Sequence, residues 1–187
     1  MKLIIILCSV VLLFMSSLNN AEACVGRILV IGTLSSSEER LLAEMVSVLM
    51  KERTGTNVKI VQFMDSKELY SAVKKGEIGM VIESVERGIT VVGKTGDRRL
   101  KTTYDTVKKE YRRNLSLVWL EPFGESRNYA PVVSVEVLEN LPALPKLVGK
   151  LAGIINDDTF DKLVKAGKQN NKFQKVAHEF LKSKRLI

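Results

Sequence analysis

The sequence predicts an α/β domain with a mostly parallel sheet of about five strands, helices on both faces and a helical C-terminus. Three observations predict it. Short apolar runs rich in Val and Ile alternate with segments whose apolar residues recur at helical period. The boundaries carry Ser or Asp before the helices and Gly after them. Beyond Val135 the strand signals stop and only helical ones follow.

Taken in order, Arg27 to Ile31 is a buried-strand pattern ended by Gly32. Ser36 and Glu39 have capping-box spacing, and Leu42, Met45, Val46 and Leu49 then share a helical face as far as Gly55. Asn57 to Phe63 is the second strand. Asp65 and Glu68 open a short helix carrying Leu69, Ala72 and Val73, stopped by Gly76. Ile78 to Glu83 is the third strand, and a loop follows it. Leu100, Tyr104, Val107 and Tyr111 mark the clearest amphipathic helix. Leu115 to Leu120 and Ala130 to Val135 are the fourth and fifth strands. This βαβαβ order favours parallel pairing, because each helix returns the chain across the sheet. Pro142 and Pro145 interrupt the chain after Leu138, and Leu147, Val148 and Leu151 form a short apolar turn. Asn156 to Asp158 cap a helix with Phe160, Leu163 and Val164. Phe173, Val176, Ala177, Phe180 and Leu181 make a strongly amphipathic last helix.

The N-terminus carries an export pattern. Lys2 precedes an apolar run, Leu3 to Met15, that falls short of the ~20 residues needed to cross a bilayer. Ala21-Glu22-Ala23 supplies a small-x-small cleavage pattern, so residues 1–23 read as a signal peptide and 24–187 as one mature domain. An uncleaved membrane anchor is the alternative. The expected location is the periplasm or the outer face of the cytoplasmic membrane. Cys8 would leave with the signal, so Cys24 has no partner for an internal disulfide. As the first mature residue it is a candidate lipid anchor, although Ala21 stands where lipoprotein signals usually carry Leu.

Lys and Arg number 29 against 21 Asp and Glu, a net charge of +8 that removal of residues 1–23 leaves unchanged. In an exported chain that charge does not point to nucleic acid. The basic residues lie in scattered pairs, such as Lys74-Lys75 and Arg112-Arg113, as on solvated helix faces. Catalysis finds little support. His178 is the one histidine, no Ser-His-Asp set or nucleophile elbow occurs, and no metal or other cofactor is implied. Gly88 to Thr95 fits the pattern G-x-x-x-x-G-K-[ST]. Its β-branched interior and the Gly96-Asp97 that follows oppose the strand-loop-helix context a phosphate loop requires, and a turn is expected instead. The bend Thr33 to Ser37 is more suggestive, because ligands of open α/β sheets dock between a strand and the next helix. Ser35 and Ser36 there serve either plain helix capping or anion binding, and both readings stand.

The segments, in order, resemble the substrate-binding proteins of osmoprotectant (glycine betaine, choline and carnitine) ABC transporters. Glu38 to Gly55 is similar to the family's first helix, and Ser66 to Met80 (SKELYSAVKKGEIGM) to its typical SKELFEALKSGEID. Tyr104 to Trp119 matches the helix and strand before the hinge. Phe123-Gly124 through Tyr129-Ala130 resembles the G-F-N-N-T-Y-A crossover, and VAHEFLKSKRLI the closing helix. The resemblance implies one lobe of the type II periplasmic-binding-protein fold. It departs from the family in two ways. Tyr129-Ala130 runs directly into Pro131-Val132, where the family places a second lobe. The pattern Y-P-E-Y-T-G-T-G reads Val81 to Gly88 here, without its tyrosines, and S-K-N-F-T-E-Q reads Thr33 to Glu39, with Ser36 in place of Phe.

What the resemblance implies is an extracytoplasmic solute-binding component for quaternary amines, in reduced single-lobe form with a depleted aromatic cage. Quaternary ammonium groups are held on aromatic faces, so the loss bears directly on affinity. Ser35, Ser36, Glu83 and Tyr129 are the expected ligand-binding positions; Arg87 would repel a cation if it faced them. The expected partners are a small quaternary amine or other small solute, weakly held, and an ABC permease. Nucleic acid is not among them, and the membrane enters only through a lipid anchor or transporter docking. The alternative is a non-transport interaction module derived from that family, docking on a transporter, a full-length receptor or itself.

Overall fold

The computed structural model describes residues 28–93, 100–124 and 129–187. Its five strands are β1 (Leu29–Thr33), β2 (Val58–Gln62), β3 (Met80–Ser84), β4 (Leu117–Trp119) and β5 (Tyr129–Ser134), in the spatial order β2-β1-β3-β5-β4. β1 pairs parallel with both β2 and β3, setting Ile31 beside Ile60 on one side and Met80 on the other. β5 runs against both its neighbours, with Glu83 opposite Ala130. The sheet is therefore mostly parallel, with β5 the one reversed strand.

The chain leaves β1 for one neighbour, β2, and then passes back over β1 to reach β3 on its far side. Right-handed crossovers put the two connecting helices on opposite faces of the sheet. Helix α1 (Ser37–Thr54) accordingly lies on one face and α2 (Ser66–Lys74) on the other. The strand side chains divide to match. Leu29, Ile31, Met80 and Ile82 join the core beneath α1, whereas Val81, Ala130 and Val132 join the core with α2. This arrangement creates a switch point between the carboxyl ends of β1 and β3, where open α/β sheets bind ligands.

Local chemistry explains the helix ends. Ser36 caps α1 by accepting from the Glu39 N–H, and Gly55 closes it at φ 70°, a left-handed conformation glycine takes without steric cost. Asp65 caps α2 in the same way, accepting from Glu68 N–H. Leu41, Leu42, Met45, Leu49 and Met50 of α1 are fully buried against α6 (Leu144–Ala152), α7 (Asp157–Lys168) and α8 (Phe173–Ser183). Asn156 caps α7, as the sequence pattern predicts.

Three expectations need correction. The segment after β3 is not a loop but helix α3 (Val85–Val91), capped by Ser84 and packed on α4 (Leu100–Leu115). Gly88 makes that packing possible, since a Cβ there would stand 2.7 Å from the Trp119 ring. The phosphate-loop pattern is thus helical from Gly88 to Val91 and makes its turn at Val92 and Gly93, with Gly93 at φ 67°; Lys94 and Thr95 lie outside the described residues. The short apolar turn around Val148 is the nine-residue α6, with Pro145 in its first turn, where a missing N–H costs nothing. Before it, α5 (Val135–Asn140) follows β5 directly, capped by Ser134. The expected signal peptide, residues 1–23, and Cys24 lie outside the described residues. Among those described, no helix is long and apolar enough to cross a membrane.

Candidate functional site

The carboxyl ends of β1 and β3 carry a buried charge network. Glu83 lies next to last in β3 on the α2 side of the sheet and is buried, as is Glu39 in the first turn of α1. Arg87, one turn into α3, reaches both. Its Nη1 lies 2.6 Å from Glu39 Oε1, its Nη2 donates to the Ile82 carbonyl at 2.8 Å, and its Nε pairs with Glu83 Oε1. The far oxygen of Glu39 accepts from the Leu34 N–H at 2.7 Å. Glu83 also accepts from the Ser84 N–H at 2.9 Å, while Tyr70 and Tyr111 donate to its other oxygen.

Burial pushes the Glu83 carboxyl above its usual range, against the pull of Arg87. Burial also works to lower Arg87, but Glu83 and Glu39 outweigh it and hold the guanidinium more firmly charged. Both tyrosine hydroxyls are driven upward, first by burial and then by the Glu83 charge. Behind them, Tyr111 and Trp119 stack edge to face at 5.2 Å, and Tyr70 and Tyr111 at 6.0 Å. The sequence reading did not pick out Tyr70, Tyr111 or Trp119 as a cluster with Glu83. Arg87 does not repel a ligand here; it is consumed by two carboxylates.

The hydroxyl-rich bend is largely occupied by capping. Ser36 Oγ accepts from the Glu39 N–H and donates to Glu38 Oε2 at 2.7 Å, while Ser35 is exposed. The carboxylates of Glu38 and Glu39 already stand in the first turn of α1, so its positive dipole end is met from within the chain. The Ser36 hydrogen bond holds Glu38 below its ordinary value despite partial burial.

Tyr129 stands apart from Glu83's charge network. It opens β5 and lines a half-open pocket of about 230 Å³ between α1, the crossover and the start of α7. Phe123, Tyr129 and Phe160 give this pocket three aromatic rings, and Glu38, Asp157 and Asp161 give it three carboxylates. Gly124 shapes its floor at φ 69°, with a Cβ position only 3.1 Å from the Ile155 carbonyl. Burial raises the Tyr129 hydroxyl above its ordinary range, with a hydrogen bond to Ser36 opposing. The sequence reading named Tyr129 and missed Phe160 and the acidic rim, which come from α7 and meet the crossover only in the fold. A larger depression, about 830 Å³, lies at the opposite end of the strands around Ile28, Lys74 and Glu136 and contains none of the expected site residues. Among the described residues no group of three or more His, Cys, Asp or Glu could hold a metal ion.

An open sheet with a reversed fifth strand, helices on both faces and polar groups at its β1/β3 switch point defines one lobe of a type II solute-binding protein. Residues 28–139 match the family described as the substrate binding domain of ABC-type glycine betaine transport systems. The chain belongs to that family, which is a family of non-enzymatic solute-binding components of ABC transport. Its fold is similar to a crystal structure titled glycine betaine/carnitine/choline ABC transporter, at TM-score 0.74 and 13% identity, over 86% of this chain and 99% of that one. It is equally similar to apo YehZ from Escherichia coli, at TM-score 0.74 and 14% identity, over 87% of this chain and 100% of that one. No curated protein sequence matches the chain.

Proposed function

We propose that this chain is an extracytoplasmic solute-binding component for quaternary-amine osmoprotectants, in a reduced single-lobe form with weakened affinity. The observation that carries the reading is the pocket of Phe123, Tyr129 and Phe160, rimmed by Glu38, Asp157 and Asp161. Aromatic faces and carboxylates together attract a cation, and the rings tolerate methyl groups that hydrogen-bond acceptors alone would not. A volume of about 230 Å³ lies below the usual range for drug-sized ligands and suits a small solute. Of the residues expected from sequence, Tyr129 supplies a ring directly, while Ser36 orients Glu38. Ser35 contributes at the exposed bend, and Glu83 acts from behind by fixing Arg87. In this reading residues 1–23 direct export, Cys24 carries a lipid, and an ABC permease is the partner.

Isothermal titration of residues 24–187 with choline, glycine betaine and carnitine tests the proposal. Saturable binding at millimolar ligand, weakened in Tyr129→Ala, is expected. Absence of heat with all three at tens of millimolar would remove it.

A second reading, an interaction module, is favoured by Met64. This side chain is 82% exposed just beyond β2, at the carboxyl end of an edge strand. Light scattering separates the readings, because self-association through that edge doubles the mass.

A further inference from the structure

We propose that Glu39, Glu83 and the Ile82 carbonyl form a guanidinium-binding socket at the switch point, and that Arg87 is its tethered ligand. The geometry carries the assignment. Two of the guanidinium nitrogens hydrogen-bond into it, Nη1 to Glu39 Oε1 and Nη2 to the Ile82 carbonyl, and Nε faces Glu83 Oε1 as an ion pair. A planar fork presents its donors to acceptors set around one plane, which a lysine ammonium on a flexible stem does not.

The socket is held in shape by groups other than Arg87. The Leu34 N–H fixes Glu39 at 2.7 Å, and Tyr70, Tyr111 and the Ser84 N–H fix Glu83. Both carboxylates are buried, and Arg87 is the cation that meets them. Removing the guanidinium therefore leaves two oriented carboxyl groups and a carbonyl arranged for a cation of the same shape. Glu39 and Arg87, 48 residues apart in the chain, meet as one ion pair. The consequence is a switch point that is permanently loaded. The strand-end loops at Leu34 and Ser84 are held closed by an internal cation, and solute capture moves to the neighbouring pocket of Tyr129.

The test is chemical rescue. Thermal unfolding of wild type and Arg87→Ala is followed in 0–50 mM guanidinium chloride, against sodium chloride and against urea, the neutral isostere. Arg87→Ala melts lower than wild type. Millimolar guanidinium is expected to restore at least half of the lost melting temperature along a saturating curve, while urea and sodium chloride restore none and wild type does not rise. If Arg87→Ala is unfolded in buffer, recovery of helical circular dichroism on refolding with guanidinium, but not urea, reads the same property. Equal effects of guanidinium and urea, or an equal rise in wild type, overturn the proposal. The double variant Glu39→Gln/Arg87→Thr removes both partners of that ion pair; it is expected to fold and ignore guanidinium, and a full rescue response there also overturns it.

Discussion

Replacing Arg87 by Leu isolates the energetic role of the buried network. The side chain keeps its apolar stem but loses the charge that faces Glu39 and Glu83, which are 2% and 0% exposed. Breaking a buried pair by removing one partner costs about 3–5 kcal/mol, because an uncompensated charge is left behind. In a domain of this size that corresponds to a melting temperature lower by roughly 6–20 °C. The pH dependence gives the sharper signature. Burial already raises Glu83 above its ordinary value of 4.5 in the native protein. Loss of Arg87 raises it further, so the folded variant holds a proton that the unfolded chain has released. A carboxyl raised on folding contributes stability that is present below its unfolded pKa and is lost as pH rises through the folded pKa. The deficit of Arg87→Leu relative to wild type therefore shrinks as pH falls from 8 toward 5. Differential scanning calorimetry of both proteins across that range is the assay. A deficit that stays constant or widens on acidification refutes the reasoning.

Other substitutions test neighbouring parts of the structure. Tyr111→Phe removes hydroxyl contacts at 2.7 Å to Tyr70 and 3.3 Å to Glu83, costing about 1–2 kcal/mol in urea unfolding. Gly88→Ala forces a methyl toward Trp119, where it would lie 2.7 Å from the ring, and destabilises by about 1–3 kcal/mol with altered Trp119 fluorescence. Phe160→Ala and Tyr129→Ala each remove one ring from the pocket, and each weakens choline binding by about 2- to 30-fold in titration calorimetry. Asp161→Asn weakens it less, because that carboxylate is exposed and screened.

The parts of this fold that depend on local chemistry were legible in the sequence. The caps at Ser36, Asp65 and Asn156 and the stop at Gly55 lie where their side chains and backbone preferences place them. Helix α3 was not legible, because Ile89, Thr90 and Val91 are stiff at χ1 and disfavour an isolated helix. It forms through the Ser84 cap and the close approach of Gly88 to Trp119, a contact across 31 residues of chain. The reversal of β5 escaped for a similar reason: it shows in the antiparallel pairing of β5 with β3 and β4, not in the composition of the strand. At the site, sequence reasoning found Glu83 and Tyr129 as separate positions. It could not see that Arg87 closes on Glu39, or that Phe160 swings in from α7, since neither pair shares a local pattern.

The most direct test of the whole account is a map of amide chemical-shift changes as choline is added to isotopically labelled protein. Shifts concentrated at Gly124, Tyr129 and Asp161, with Ser84 and Arg87 unmoved, are the predicted result. Shifts centred on Ser84 and Arg87 instead would contradict it, because they would mean that the internal cation yields its place to solute.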